Sequence, residues 1–153
     1  MYQEYKRILA PIDGSKEAKK AFLKAIQVAR RNEASLDIAH IIDTRAMQVG
    51  DGYEIIYTDD MSSEGKALLA DYEKMAHDHG LEDVHTHLEY GSPKQVITEE
   101  LSVDCKSDLI MIGATGLSAV ERLLVGSVSD YVIRNAPCDV LVVRTDLENK
   151  LSE

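Results

Sequence analysis

Apolar and polar positions follow two different rhythms along this chain. Short, nearly continuous apolar runs occupy 7–12, 35–42, 109–112 and 140–143. Runs of this kind belong to strands covered on both faces. Between them, apolar residues recur every three or four positions, the period of a helix with one buried stripe. Ala18, Phe22, Ala25, Ile26 and Ala29 make such a stripe, with Lys19, Lys20, Lys24 and Gln27 largely outside it. That helix follows the turn Asp13, Gly14, Ser15, in which Ser15 is the expected N-cap. A second helix is predicted over 62–79, with Leu68, Leu69, Tyr72, Met75 and Ala76 inward and Gly80 as its stop.

The strand predicted at 84–90 has a different texture. His85, His87 and Glu89 alternate with Thr86, Leu88 and Tyr90, as on a half-exposed or edge strand. Ser92 and Pro93 then start a helix, serine as cap and proline in the first turn, with Val96, Ile97 and Leu101 as its buried stripe. The segment 43–60 keeps no clear period. Gly50 and Gly52 interrupt it, while Tyr53, Ile55, Ile56 and Tyr57 give it a partly apolar patch. A connection of that length is expected to be a lid, a binding loop or a mobile segment.

Strand and helix alternate throughout, which predicts an α/β, three-layer sandwich around a five-stranded parallel sheet. The fold is expected to be Rossmann-like, with strand order 3-2-1-4-5, right-handed crossovers and a ligand crevice at the carboxyl ends of the strands. A chain of 153 residues fits one domain over 1–153 with a sizeable core, and 44% hydrophobic residues mark it as globular. Its 17 basic and 27 acidic residues leave a net charge of −10, a field that repels nucleic acid and anionic membrane surfaces. No run approaches the roughly 20 apolar residues that span a bilayer, and residues 1–6 lack a signal-peptide core, so a cytoplasmic location is expected. Cys105 and Cys138 form neither a metal-binding spacing nor a disulfide framework, and Cys138 is expected to be a small buried residue.

The densest chemical signal lies at Gly113, Ala114, Thr115 and Gly116, followed after nine residues by Gly126 and Ser127. It follows an apolar strand and reads as glycine turn, short helix, second glycine turn, helix. Backbone N–H groups at such turns suit phosphate, because helix starts carry unpaired amides and partial positive charge. Glycine there permits positive φ and leaves room for a close ligand. A branched side chain at Gly126 is therefore expected to crowd a phosphate and strain the backbone. Ser127 and Asp130 have a spacing like that of a capping box, and a well-capped helix alone would also explain them. Ser118 and Glu121 match that motif better and are expected to start the intervening helix. Asp13, just past the first strand, suits a ribose hydroxyl, an adenine amino group or a nucleotide-bound metal; fixing its own turn is the equal alternative.

Several other chemistries lack their residues. There is no P-loop, no Gly-x-Gly-x-x-Gly turn after the first strand and no Gly-x-Ser-x-Gly elbow. No general base for hydrolysis can be placed, and no catalytic residue is assigned. His77 and His79 are two apart on a helix and do not share a face. His85 and His87 share a strand face with Glu89 and could bind a metal weakly, but a solvated face is the simpler reading. His40 fits a hydrogen-bonded core or sheet-end position.

Together these landmarks resemble the universal stress protein family over nearly the whole length. The glycine pair Gly113-x-x-Gly116, the later Gly126–Ser127 and the ending at 136–144 carry the resemblance, with 8–15 and 40–43 as further matches. Similarity to the ATP-binding branch of that family implies an ATP site, with Mg2+ or Mn2+ accompanying the nucleotide. Asp13 would contact the nucleotide, with Pro11 and Ile12 lining the site and Ile41 holding adenine through its backbone. Gly113 and Gly116 would approach ribose and phosphates, and Gly126, Ser127 and Val128 would hold phosphate oxygens. Thr115 departs from the histidine common at its place. The resemblance also implies a homodimer through the last strand, at Val140, Leu141, Val142 and Val143. The expected function is an ATP-binding regulatory stress-response protein coupled to partner recognition. The alternatives are a slow ATPase or phosphotransfer enzyme and an ATP-independent protein-binding module.

Overall fold

A computed structural model of the protein describes residues 4–44, 54–114 and 126–144. The elements run β1 (Arg7–Pro11), α1 (Lys16–Asn32), β2 (Ser35–Asp43), α2 (Glu54–Asp78), β3 (Val84–Gly91), then α3 (Pro93–Gln95). A π-helical stretch (Val96–Leu101), α4 (Ser102–Asp104), β4 (Leu109–Gly113), α5 (Ser127–Asn135) and β5 (Asp139–Val143) complete them. The strands form one parallel sheet in the order β3-β2-β1-β4-β5, as the alternation of elements predicts. Ile8 of β1 pairs with Leu36 on one side and Leu109 on the other, so β1 lies in the middle of the sheet.

Side-chain alternation assigns each strand residue to a layer. Leu36 and Ile38 of β2 pack with Phe22 and Ile26 of α1 and Leu69 and Tyr72 of α2. Ala39 and Ile41 face the opposite layer, against Val96, Ile97, Leu101 and Val132. Phe22 and Tyr72 meet edge-on, with ring centroids 4.7 Å apart, an arrangement favoured by the ring quadrupoles. The amino ends of the central strands are tied by Asp108, whose carboxylate accepts the Lys6 N–H at 2.7 Å and the Arg7 N–H at 3.0 Å.

Two boundaries differ from expectation. Helix α2 begins at Glu54 rather than near Ser62, so the irregular segment is shorter than its composition suggests. Of that segment, residues 45–53 lie outside the described residues, as does the helix expected from Ser118. Ser92 occupies the N-cap before α3, but its hydroxyl makes no capping bond. Pro93, which has no N–H to satisfy, takes the first helical position. Gly80 ends α2 with φ +86°, as expected of a glycine stop.

Candidate functional site

Helix α1 leaves β1 toward one face of the sheet, while α5, after β4, packs on the other. The carboxyl ends of these neighbouring strands therefore diverge and open a crevice at the switch point. A cleft of about 350 Å³ occupies it. Pro11, Ile12 and Asp13 line it from the end of β1, Ile41 from β2, Gly113 from β4, and Gly126, Ser127 and Val128 from the start of α5. These are all of the expected binding residues that the structure describes; Gly116 lies outside the described residues.

Three helix starts reach this cleft, those of α1, α3 and α5, and the ends of α1 and α5 differ. At α1, the Ser15 hydroxyl accepts the Ala18 N–H at 3.1 Å, so that end is capped by its own chain. Asp13 accepts the Ser15 N–H at 2.9 Å and so holds the turn, the structural half of the two roles open to it. At α5, Gly126 is the N-cap and no side chain caps the helix. Ser127 is its first helical residue, not its cap. Asp130 does not close a capping box; its carboxylate accepts from Arg134 Nε at 3.1 Å. The amides of the first turn of α5 have no acceptor within their own helix.

The glycines serve purposes other than positive φ. Gly126 has φ −61° and ψ 161°, a conformation open to any residue, so the expected backbone strain at this position is absent. Gly113 is required by packing. A Cβ there would lie 2.8 Å from the Glu17 carbonyl oxygen and 2.9 Å from its carbon. The end of β4 thus presses directly on the first turn of α1. Ser129 pins the other side of the cleft, donating its hydroxyl to the Gly113 carbonyl at 2.7 Å. The Gly126 N–H bonds to Ala114 O at 2.9 Å and closes the connection between β4 and α5.

The cleft is apolar along one wall, where Ile12, Ile41, Ile97 and Ile112 are buried. Its rim carries two carboxylates, Asp13 and Glu17, the latter 3.8 Å from Lys20 Nζ. Among the lining residues that sequence reasoning missed are Ser15, Glu17, Pro93, Ile97 and Ser129. For Ser129 a signal existed in its spacing from Gly126. For Pro93 and Ile97 none did, because they reach the cleft from the helical layer that follows β3 in the chain and packs over β1 and β2.

Among the remaining candidates, His40 holds the end of β1 through a 3.0 Å contact of Nδ1 with the Ile12 carbonyl. His77 and His79 each bond a backbone carbonyl of their own neighbourhood. The face of β3 bearing His85 and His87 is not uniformly solvated. His85 is exposed beside Asp83, but His87 turns inward to Asp37, at 2.9 Å. Cys138 is half-buried rather than buried, and Cys105 is the buried cysteine. Strand β5 forms the outer edge of the sheet, with Leu141 41% exposed. Among the described residues, no helix is long and apolar enough to cross a membrane.

Fold and cleft together define a doubly wound α/β protein with an open crevice at its switch point. The universal stress protein family model matches residues 4–144, and the chain belongs to that family. A Staphylococcus saprophyticus protein named as a universal stress protein is 46% identical over 142 residues, covering 93% of this chain and 85% of that protein. A Staphylococcus aureus protein of the same description is 47% identical, covering 93% of this chain and 86% of its own length. Among solved structures, the universal stress protein UspA of Lactobacillus plantarum superposes with a TM-score of 0.82 at 28% identity, over 94% of this chain and all of that one. A universal stress protein solved in complex with cAMP has a TM-score of 0.69 at 29% identity, covering 93% of this chain and 98% of its own.

Proposed function

We propose that the cleft binds ATP and that the protein is an ATP-binding regulator in the stress response, its nucleotide state coupled to a partner surface. The observation that carries this is the uncapped start of α5, opening onto the cleft across from Asp13. Its free amides and the positive end of the helix favour phosphate oxygens at Gly126, Ser127 and Val128. The apolar wall of Ile12 and Ile41 suits an adenine ring, and Pro11 closes the same side. Gly113 shapes the floor and Gly116 is assigned to the ribose–phosphate contacts. A nucleotide complex in a relative of this fold supports the class of ligand.

The two rim carboxylates bear on the cofactor. Asp13 and Glu17 beside a polyphosphate would repel it unless a cation lay between them. ATP is therefore proposed to enter with Mg2+ or Mn2+, whose hard oxygen-ligand preference both carboxylates meet. Titration calorimetry of the full chain with ATP and Mg2+ tests the proposal, with cAMP as a competitor. Binding of one ATP per chain, weakened when Mg2+ is removed, is the expected result. Absence of heat and of competition at millimolar nucleotide would refute it.

A homodimer through β5 belongs to the same proposal. An edge strand with Leu141 exposed and Val140 and Val142 half-buried is a surface that another strand can cover. Sedimentation at tens of micromolar chain, with and without ATP, is expected to give a dimer; a monomer in both conditions would rule it out.

A further inference from the structure

A second cluster of chemically active side chains lies away from the cleft. Asp37 of β2, His87 of the edge strand β3 and Cys105, just beyond α4, converge on one face of the sheet. None of them lines the cleft. Their donor atoms all fall within 4.8 Å of one another. His87 Nε2 is 2.9 Å from Asp37 Oδ1 and 3.6 Å from Cys105 Sγ. Asp37 is fully buried, Cys105 is 5% exposed, and the His87 side chain, at 27%, opens one side to solvent.

The geometry excludes a nucleophile relay. In such a relay the acid and the thiol engage different ring nitrogens. Here both meet Nε2. Burial, with the Asp37 carboxylate adding to it, also pushes the Cys105 thiol up to about 11, so it is no free thiolate at neutral pH. Three different donor atoms within 4.8 Å of one another are instead the pattern of a coordination site.

We propose that Asp37, His87 and Cys105 form a three-ligand site for a borderline-soft divalent cation, with zinc the best fit. Thiolate, imidazole and carboxylate together select zinc over magnesium or calcium. Bonds of about 2.0–2.3 Å place tetrahedral neighbours about 3.3–3.8 Å apart. The sulfur–nitrogen spacing already has that value, and the nitrogen–oxygen pair opens by a few tenths of an ångström as the ion replaces their hydrogen bond. Arg7 Nη2 holds Asp37 Oδ2 at 3.1 Å and Oδ1 at 3.4 Å. It thus favours Oδ2 and leaves Oδ1 as the ligating oxygen, an outer contact of the kind that orients ligating carboxylates. Its positive charge opposes the ion, but its side chain is 40% exposed and that charge is shared with water. The exposed side of His87 leaves a fourth position for water. On binding, the Cys105 S–H bond breaks, the proton passes to solvent and the S–Zn bond forms with no change of oxidation state. The ion would fasten edge strand β3 to β2 and to the helical layer.

The test uses the full chain, reduced, stripped with a chelator and loaded with Zn2+ or Co2+. The expected result is one zinc retained per chain after dialysis. Cobalt should give tetrahedral visible bands with a thiolate charge-transfer band. Both should be lost in Cys105→Ser and kept in Cys138→Ser. Zinc affinity should fall at least about 100-fold in His87→Gln. Zinc should raise the melting temperature of the wild type but not of His87→Gln, and excess Mg2+ should not displace it. Circular dichroism of each metal-free variant establishes that it is folded. Should Cys105→Ser be unfolded, the cobalt spectrum of Cys138→Ser decides, since Cys105 is then the only thiol. Zinc retention no greater than in His87→Gln, or a thiolate band that disappears in Cys138→Ser, would overturn the proposal.

Discussion

Replacing Gly113 by alanine probes the contact on which the cleft is built. The added methyl would sit 2.8 Å from the Glu17 carbonyl oxygen, 2.9 Å from the Glu17 carbon and 3.3 Å from the Ala18 nitrogen. Carbon atoms in good contact stand about 3.5–4.0 Å apart, so β4 and α1 must separate by several tenths of an ångström. The obstructing atoms are backbone and cannot swing aside as a side chain would. They are also held in place, by the Ser15 cap and the Asp13 turn. Overpacking of this kind costs about 1–3 kcal/mol, and the rigid neighbours place Gly113→Ala in the upper half of that range. For a chain of this size that lowers the melting temperature by about 4–12 °C. Urea unfolding followed by circular dichroism measures it, with an unchanged m-value showing that the compactness of both states is preserved. Gly126→Ala is the matched control. Its φ of −61° carries no strain, so it should cost no more than about 1 kcal/mol, the loss of a favourable N-cap residue. Stability of Gly113→Ala within about 0.5 kcal/mol of the wild type would refute a tight β4–α1 approach.

Gly126→Ser separates anion binding from helix stability, since a serine at the N-cap can occupy the amides that α5 leaves open. Stability should hold or rise by a few tenths of a kcal/mol while ATP affinity in calorimetry falls; unchanged affinity would argue against phosphate at this helix start. Asp37→Asn tests the buried charge. Burial alone would raise the Asp37 pKa, but hydrogen bonds from His87 and Arg7 outweigh it and hold the carboxyl below its usual value. The folded chain therefore binds this proton less readily than the unfolded chain. The stability it supplies is present above about pH 4 and drains away as pH falls through the lowered pKa. In metal-free protein Asp37→Asn should cost about 1–3 kcal/mol near pH 7 and progressively less in acid; a pH-independent difference in urea unfolding would contradict this.

Periodicity along the chain was enough to determine the layers. Ile8, Leu9 and Ala10 form a continuous apolar run because helices cover both sides of β1, and the stripe from Ala18 to Ala29 marks the buried side of α1. The turn chemistry at Ser15 and Gly80 was equally local, and both caps stand where those residues predict. The chain also marked Asp13 and Gly126 as neighbours of one crevice, since parallel strands bring all their carboxyl ends to the same edge; Pro11 and Ile12 came only with the family resemblance. Other features depended on partners distant in the chain. The start of α2 at Glu54 was hidden by glycines at 50 and 52. Alternation at His85 and His87 looked like a wet strand face, because nothing nearby reveals that the Asp37 carboxylate of β2 reaches His87. Gly113 and Gly126 looked like positive-φ residues; one is small because α1 crosses it, and the other leaves a helix end open. The period of a sequence records which side of an element is dry. What that side touches is set by strand register and helix packing, which join segments many residues apart, and only the tertiary structure decided it.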